Sequence, residues 1–100
     1  MIRNVFLGFI RVHILYHADK EEIFGTEIMK ELRRHGYSVS PGTLYPILHS
    51  LESQKYLVSK KVVVGGKVRK YYKITKKGSN VLDKSKEKLK ELVSEVLEGK

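Results

Sequence analysis

Gly65-Gly66 lies between two β-branched stretches, Val62-Val63-Val64 and Val68 to Ile74, and commits the middle of the chain to a β-hairpin. Two glycines between strand-like runs supply the left-handed backbone of a two-residue hairpin turn. With Val64 and Lys67 flanking the turn, Leu57 faces Ile74, Ser59 faces Tyr72, Val63 faces Val68 and Lys61 faces Lys70. The first three pairs are expected to pack toward a core. Tyr72 then points inward, and Tyr71 is expected along neighbouring lysine stems. The two lysines repel each other in water, a conflict that a bound phosphate would relieve.

Charge gives this hairpin its meaning. Residues 55–77 hold nine Lys or Arg and no Asp or Glu. The chain carries a net charge of +9, yet residues 1–54 balance six cations against six anions. The whole excess therefore sits on the hairpin and the C-terminal segment, as a footprint for a polyanion rather than a general aid to solubility. One hundred residues make a single modest core. The absence of cysteine excludes disulfides and thiolate zinc sites and fits a cytoplasmic protein. The apolar start, Ile2 to Tyr16, is broken by Arg3, Arg11 and His13, so no membrane span is expected, and no small-residue cleavage site follows it.

Helical spacing marks four further segments. Ile2, Val5, Phe6, Phe9, Ile10 and His13 recur on one face, widened by Val12 and Tyr16, and predict a largely buried first helix. A polar connection is expected from Ala18 to Glu22. A second helix begins near Gly25, turns Ile28, Met29 and Leu32 inward, and stops at Gly36. Ser40 as N-cap and Pro41 at the first helical position start a third helix running to about Gln54. It buries Leu44, Ile47, Leu48 and Leu51 and leaves Gly42, Tyr45, Pro46, His49 and Ser53 outside. Pro46 removes a helical hydrogen bond to the Gly42 carbonyl, so an irregular turn or a kink is expected there. Thr75 caps a last helix from Lys76 to about Leu97, whose Leu82, Leu89 and Val96 are spaced by sevens as in a coiled coil.

The order helix, helix, turn, helix, basic hairpin, helix is a winged helix–turn–helix: mainly α with a small β-hairpin. One helix enters a DNA groove and the wing lies along phosphates. Ser40-Pro41-Gly42-Thr43-Leu44-Tyr45-Pro46, with Leu48 and Leu51-Glu52, closely resembles the PadR family of bacterial and archaeal transcription regulators. The resemblance extends to Phe24-Gly25-Thr26-Glu27-Ile28 and to Arg69-Lys70-Tyr71-Tyr72-Lys73-Ile74-Thr75 with Gly78, and so spans nearly the whole chain. It implies a homodimeric repressor of the short type, with a single final helix. On that resemblance residues 1–77 form the DNA-binding domain, and 78–100 a dimerisation helix packed on it.

Carried over by position, Ser40, Gly42, Thr43 and Tyr45 match the start of the recognition helix, and Lys67, Arg69 and Lys70 match the wing. His49 joins the first group from its place on the outer face, and Lys60 and Lys61 join the second. First and last helices are expected to form the dimer interface through Phe6, Phe9, Ile10, Leu82, Leu89, Leu92, Val93 and Val96. Two departures stand out. Thr26 replaces the aromatic usual after the glycine, and no tryptophan occurs near the C-terminus, so the drug-stacking pocket of some short relatives is not carried over.

The partners expected are double-stranded DNA with a palindromic operator, a second copy of the chain, and a small-molecule effector. An alternative is a protein-interaction module whose hairpin binds an acidic partner, since fold alone does not settle function. RNA is a third reading, opposed by the lack of an aromatic-studded sheet face. No catalytic carboxylate pair and no Gly-rich phosphate loop appear, so neither an enzyme nor a cofactor is expected. His13 and His17 have metal-ligand spacing, i and i+4, but no third ligand accompanies them in sequence, and they are expected as interior or interface histidines. His35 is placed at a helix C-terminus, where a cation is welcome.

Overall fold

A computed structural model describes residues 2–100; the side chain of Ile2, expected on the buried face of the first helix, lies outside the described residues. The elements are α1 (Ile2–Lys20), β1 (Ile23–Phe24), α2 (Gly25–Arg34), α3 (Pro41–Ser53), β2 (Leu57–Val64), β3 (Lys67–Ile74) and α4 (Lys76–Leu92). A π-helical turn, Val93–Leu97, prolongs α4, where the sequence predicts unbroken α-helix.

The core is built where the apolar stripes meet. Ile28, Met29 and Leu32 of α2 and Leu44, Ile47, Leu48 and Leu51 of α3 are all buried, against Ile14, Leu15 and Ala18 of α1. Each fully buried leucine of this kind contributes about 1.5–3 kcal/mol. The first helix departs from its expected orientation. Val5, Phe6, Phe9 and Tyr16 stay exposed, while Ile10, Ile14, Leu15 and Ala18 turn inward. Two residues expected at a dimer interface, Ile10 and Leu82, lie instead in the core of their own chain, at 4% and 2% exposure. The cause is the pitch of the helices: each residue falls on the stripe facing α2, α3 and the sheet, not on the outer stripe.

Both helix ends beside the recognition element use the same closure. After α2, the Tyr37 amide donates to the Leu32 carbonyl at 3.0 Å and the Gly36 amide to Arg33 at 3.0 Å, with Gly36 at φ +88°. After α3, the Tyr56 amide donates to Leu51 at 2.9 Å and the Lys55 amide to Glu52 at 2.9 Å. Here the left-handed position is held by Lys55, at φ +67°, not by glycine. Pro46 neither breaks nor ends α3. Both Pro46 and Gly42 are exposed, so solvent can serve the carbonyl that lacks its helical donor. Ser40 has the extended backbone of an N-cap, but its hydroxyl approaches the Thr43 hydroxyl at 3.4 Å and caps no amide.

The hairpin has the expected register throughout, from Leu57 opposite Ile74 to Val64 opposite Lys67, closed by Gly65 and Gly66 at positive φ. Leu57 and Tyr72 enter the core, but Val63 and Val68 do not, being 69% and 65% exposed. This pair sits next to the turn, at the tip of the hairpin, away from the core end where Leu57 and Tyr72 are buried. β1 is an element the polar reading of Ala18–Glu22 does not anticipate. It pairs with β3, Ile23 opposite Tyr72 and Phe24 opposite Tyr71, giving a sheet of order β1-β3-β2. Tyr71 packs edge-on against Phe24, with ring centroids 5.3 Å apart, a partner supplied by β1 that the sequence reading does not anticipate.

Thr75 caps α4 by accepting from the Gly78 amide at 3.0 Å. The lysines in the first turn of α4 oppose its dipole, yet Lys77 is held by a second helix end: its Nζ donates to the Gln54 carbonyl at 3.0 Å.

Candidate nucleic-acid interface

α3 presents Gly42, Tyr45 and His49 to solvent, because the stripe of four apolar residues on its other side is locked into the core. β3 runs beside it, and between them lies an open cleft of about 600 Å³. Tyr45 and His49 form one wall, and Lys67, Arg69 and Lys70 the other. The floor is made by Gly25 and Thr26 at the start of α2. That start is fixed by Glu27, whose carboxylate accepts from the Phe24 amide at 3.4 Å. Five of the residues singled out from sequence thus meet in one cleft. Ser40, Gly42 and Thr43 lie at the first turn of α3, outside it. Lys60 and Lys61 lie on β2, and pleat alternation turns them to opposite faces of the sheet.

The cations of the wing are not equivalent. Arg69 lies over the Phe24 ring, 4.5 Å from its centroid, a cation–π contact that anchors the guanidinium beside β1. Lys70 is tied to Glu52 at 3.0 Å and Lys60 to Glu22 at 3.1 Å. The facing pair Lys61 and Lys70 is therefore relieved by a carboxylate of α3, without a bound phosphate. Lys61 and Lys67 make no ion pair among the described residues. Glu52 also accepts a hydrogen bond from the Ser59 hydroxyl. That bond, and then Lys70, hold its carboxyl below the usual glutamate range, while the Glu52 hydrogen bond raises Lys70. Burial pushes the Tyr72 hydroxyl up, so it stays neutral beside these charges.

Sequence reasoning assigns no role to Glu52, Glu22, Phe24 or Thr26. Glu52 is legible in retrospect as an acid on the flank of α3 that faces β2. Glu22 and Phe24 follow only once β1 is known to sit against β3.

A helix–turn–helix followed by a two-stranded wing defines this as a winged-helix protein. The chain matches the model of the Transcriptional regulator PadR-like family over residues 14–84. It is 49% identical over 90 residues to Transcriptional regulator Rv3488 of Mycobacterium tuberculosis, covering 90% of this chain and 84% of that one. Among solved structures it resembles a PadR-like transcription factor from Bacteroides fragilis, with TM-score 0.84, 30% identity and coverage of 98% and 96% of the two chains. A PadR-like transcriptional regulator from Bacillus cereus superposes with TM-score 0.81 at 32% identity, covering 98% and 93%. The chain belongs to the PadR family and is a transcriptional regulator. No described helix is long and apolar enough to cross a membrane.

Proposed function

We propose that the protein is a homodimeric, sequence-specific DNA-binding repressor of the cytoplasm. Residues 1–77 would engage the duplex and 78–100 would serve dimerisation. The observation that carries this reading is the shared cleft, in which Tyr45 and His49 face Lys67, Arg69 and Lys70. A helix and a cationic finger so placed reach a base edge and the adjoining phosphates of one duplex together. Lys67, Lys61 and Arg69 supply charge that no carboxylate among the described residues neutralises; Lys70 exchanges Glu52 for phosphate. Ser40, Gly42 and Thr43 fit a phosphate at the start of α3, where the positive end of the helix dipole and the Ser40 and Thr43 hydroxyls face solvent together.

Dimerisation is supported by the apolar side chains left outside the core. Phe6 and Phe9 on α1, and Leu92, Val93 and Val96 at the far end of α4, are between 39% and 71% exposed, and Leu89 is half-buried beside them. A two-fold partner covering both helices sets two recognition helices about 34–36 Å apart along a roughly palindromic operator.

The test is binding to the DNA upstream of the protein's own gene as salt is varied. Affinity should fall steeply with salt. Replacing Lys61, Lys67 and Arg69 by alanine should flatten that slope, whereas Tyr45→Phe and His49→Ala should relax base preference. Binding that ignores salt, or identical effects from the two groups, would overturn the assignment.

A further inference from the structure

His13 and His17 are one turn apart on α1, and the fold brings them a third imidazole. The glycine closure after α2 sets His35 at the C-cap of that helix, against α1. Ring centroids of His13 and His35 are 5.0 Å apart, and those of His17 lie 6.4 and 6.5 Å from the other two. One nitrogen from each ring lies within 4.8 Å of the others. The Glu31 carboxylate, one turn before His35, stands 3.8 Å from His17 Nε2.

We propose that His13, His17 and His35 bind a divalent transition metal such as zinc within each chain, with the Glu31 carboxylate as fourth ligand. Two features separate this from mere packing of rings. First, His17 Nε2 is buried without a hydrogen-bond partner, and the buried Glu31 Oε2 beside it meets only the guanidinium of Arg34, in an ion contact that makes no hydrogen bond; one shared cation resolves both. Second, the site lies at the negative end of the α2 dipole, which favours a cation.

Tetrahedral zinc needs ligand nitrogens roughly 3.3 Å apart, given Zn–N bonds of about 2.0–2.1 Å. The rings must therefore close by about 1.5 Å, within the reach of small side-chain rotations, and imidazole with carboxylate suits zinc in a chain without thiolate. Two cations face the site. Arg34 holds Glu31 Oε2 at 3.3 Å and Lys20 lies near His17, but the Arg34 side chain is 72% exposed and free to withdraw.

A metal there ties α1 to the turn that leads into α3. Resting on the regulator reading, this makes the metal an effector, because it fixes α1, which carries part of the proposed dimer interface, against the turn that leads into the recognition helix.

The test uses the full chain and cobalt(II) alone as probe. Titration should give one equivalent per chain, with visible ligand-field bands that zinc abolishes, and zinc should raise the melting temperature. His35 is exposed at a helix end, so His35→Gln folds normally by circular dichroism, yet it should weaken cobalt binding by more than about 100-fold. Glu31→Gln should weaken it by roughly 10–100-fold. No bands, or bands unchanged in His35→Gln and His17→Gln, would overturn the site. Operator affinity is then compared with zinc and with chelator. A difference lost in His35→Gln supports the effector role, and equal affinities with cobalt bands intact would overturn that role alone. Absence of DNA binding under both conditions, with the bands intact, would sink the regulator reading instead.

Discussion

Gly25, at the first position of α2, lies directly against the ring of Tyr45 in α3. A Cβ on Gly25 would come within 2.8 Å of both the ring edge and the hydroxyl. The tyrosine that faces the wing is therefore aimed by the missing side chain of another helix. Gly25→Ala should leave stability within about 1 kcal/mol, because Tyr45 is free to swing outward. It should weaken discrimination between operator and random DNA. Competition binding measures this, and native discrimination in the variant would show that Tyr45 does not read bases from this position.

Gly78 is excluded from substitution for a harder reason. A Cβ there would collide with the Tyr56 backbone carbonyl and meet Ile74 Cγ1 at 2.8 Å. A carbonyl held by the Thr75 amide at 3.1 Å cannot rotate away. Gly78→Ala should cost about 1–3 kcal/mol in urea unfolding. An unchanged midpoint would contradict the packing of α4 on the α3–β2 junction.

Lys55 holds a left-handed conformation that glycine adopts without strain. Lys55→Gly should raise stability by about 0.5–1 kcal/mol, the steric relief exceeding the added unfolded-state entropy. A lower melting temperature would mean that the lysine stem contributes more than its backbone costs.

Glu52 couples stability to the charge of the wing. Its carboxyl titrates lower in the folded chain than in the unfolded one, chiefly through the Ser59 hydroxyl and then Lys70. The stability it adds is thus fully present above the ordinary glutamate value, about 4.3. It is lost as pH falls through the lowered folded value. Glu52→Gln should reduce stability at pH 7 by about 0.5–1 kcal/mol, since the pair is partly solvated, and should flatten the acid side of the melting-temperature profile. It should also free Lys70 and tighten DNA binding. Weaker DNA binding in this variant would show that Glu52 positions Lys70 instead of competing for it.

Leu92→Glu and Val96→Glu place charge on side chains that are 52% and 71% exposed in the single chain. Light scattering should report monomers, with helical content retained and operator affinity much reduced. Dimers that persist in both variants would move the interface away from the end of α4.

Local chemistry determined much of this protein without help from tertiary contacts. Gly65-Gly66, with Val64 and Lys67 flanking the turn, sets a hairpin register that all eight cross-strand pairs obey. The spacing of Leu44, Ile47, Leu48 and Leu51 fixes which side of α3 is buried, and so which side Tyr45 and His49 occupy. These succeed because turn geometry and helical pitch are properties of a few neighbouring residues.

What required the fold is every relationship between segments far apart in the chain. β1 is two residues long and becomes a strand only because β3 offers it an edge. Whether Ile10 and Leu82 face a partner chain or their own core is settled only when α1 and α4 take their rotation about that core. Glu52 meets Lys70 across eighteen residues, and His35 joins His13 and His17 across the α1–α2 turn. A linear pattern records residue types and intervals, whereas charge pairing and ligand convergence depend on distances through space, which packing alone sets.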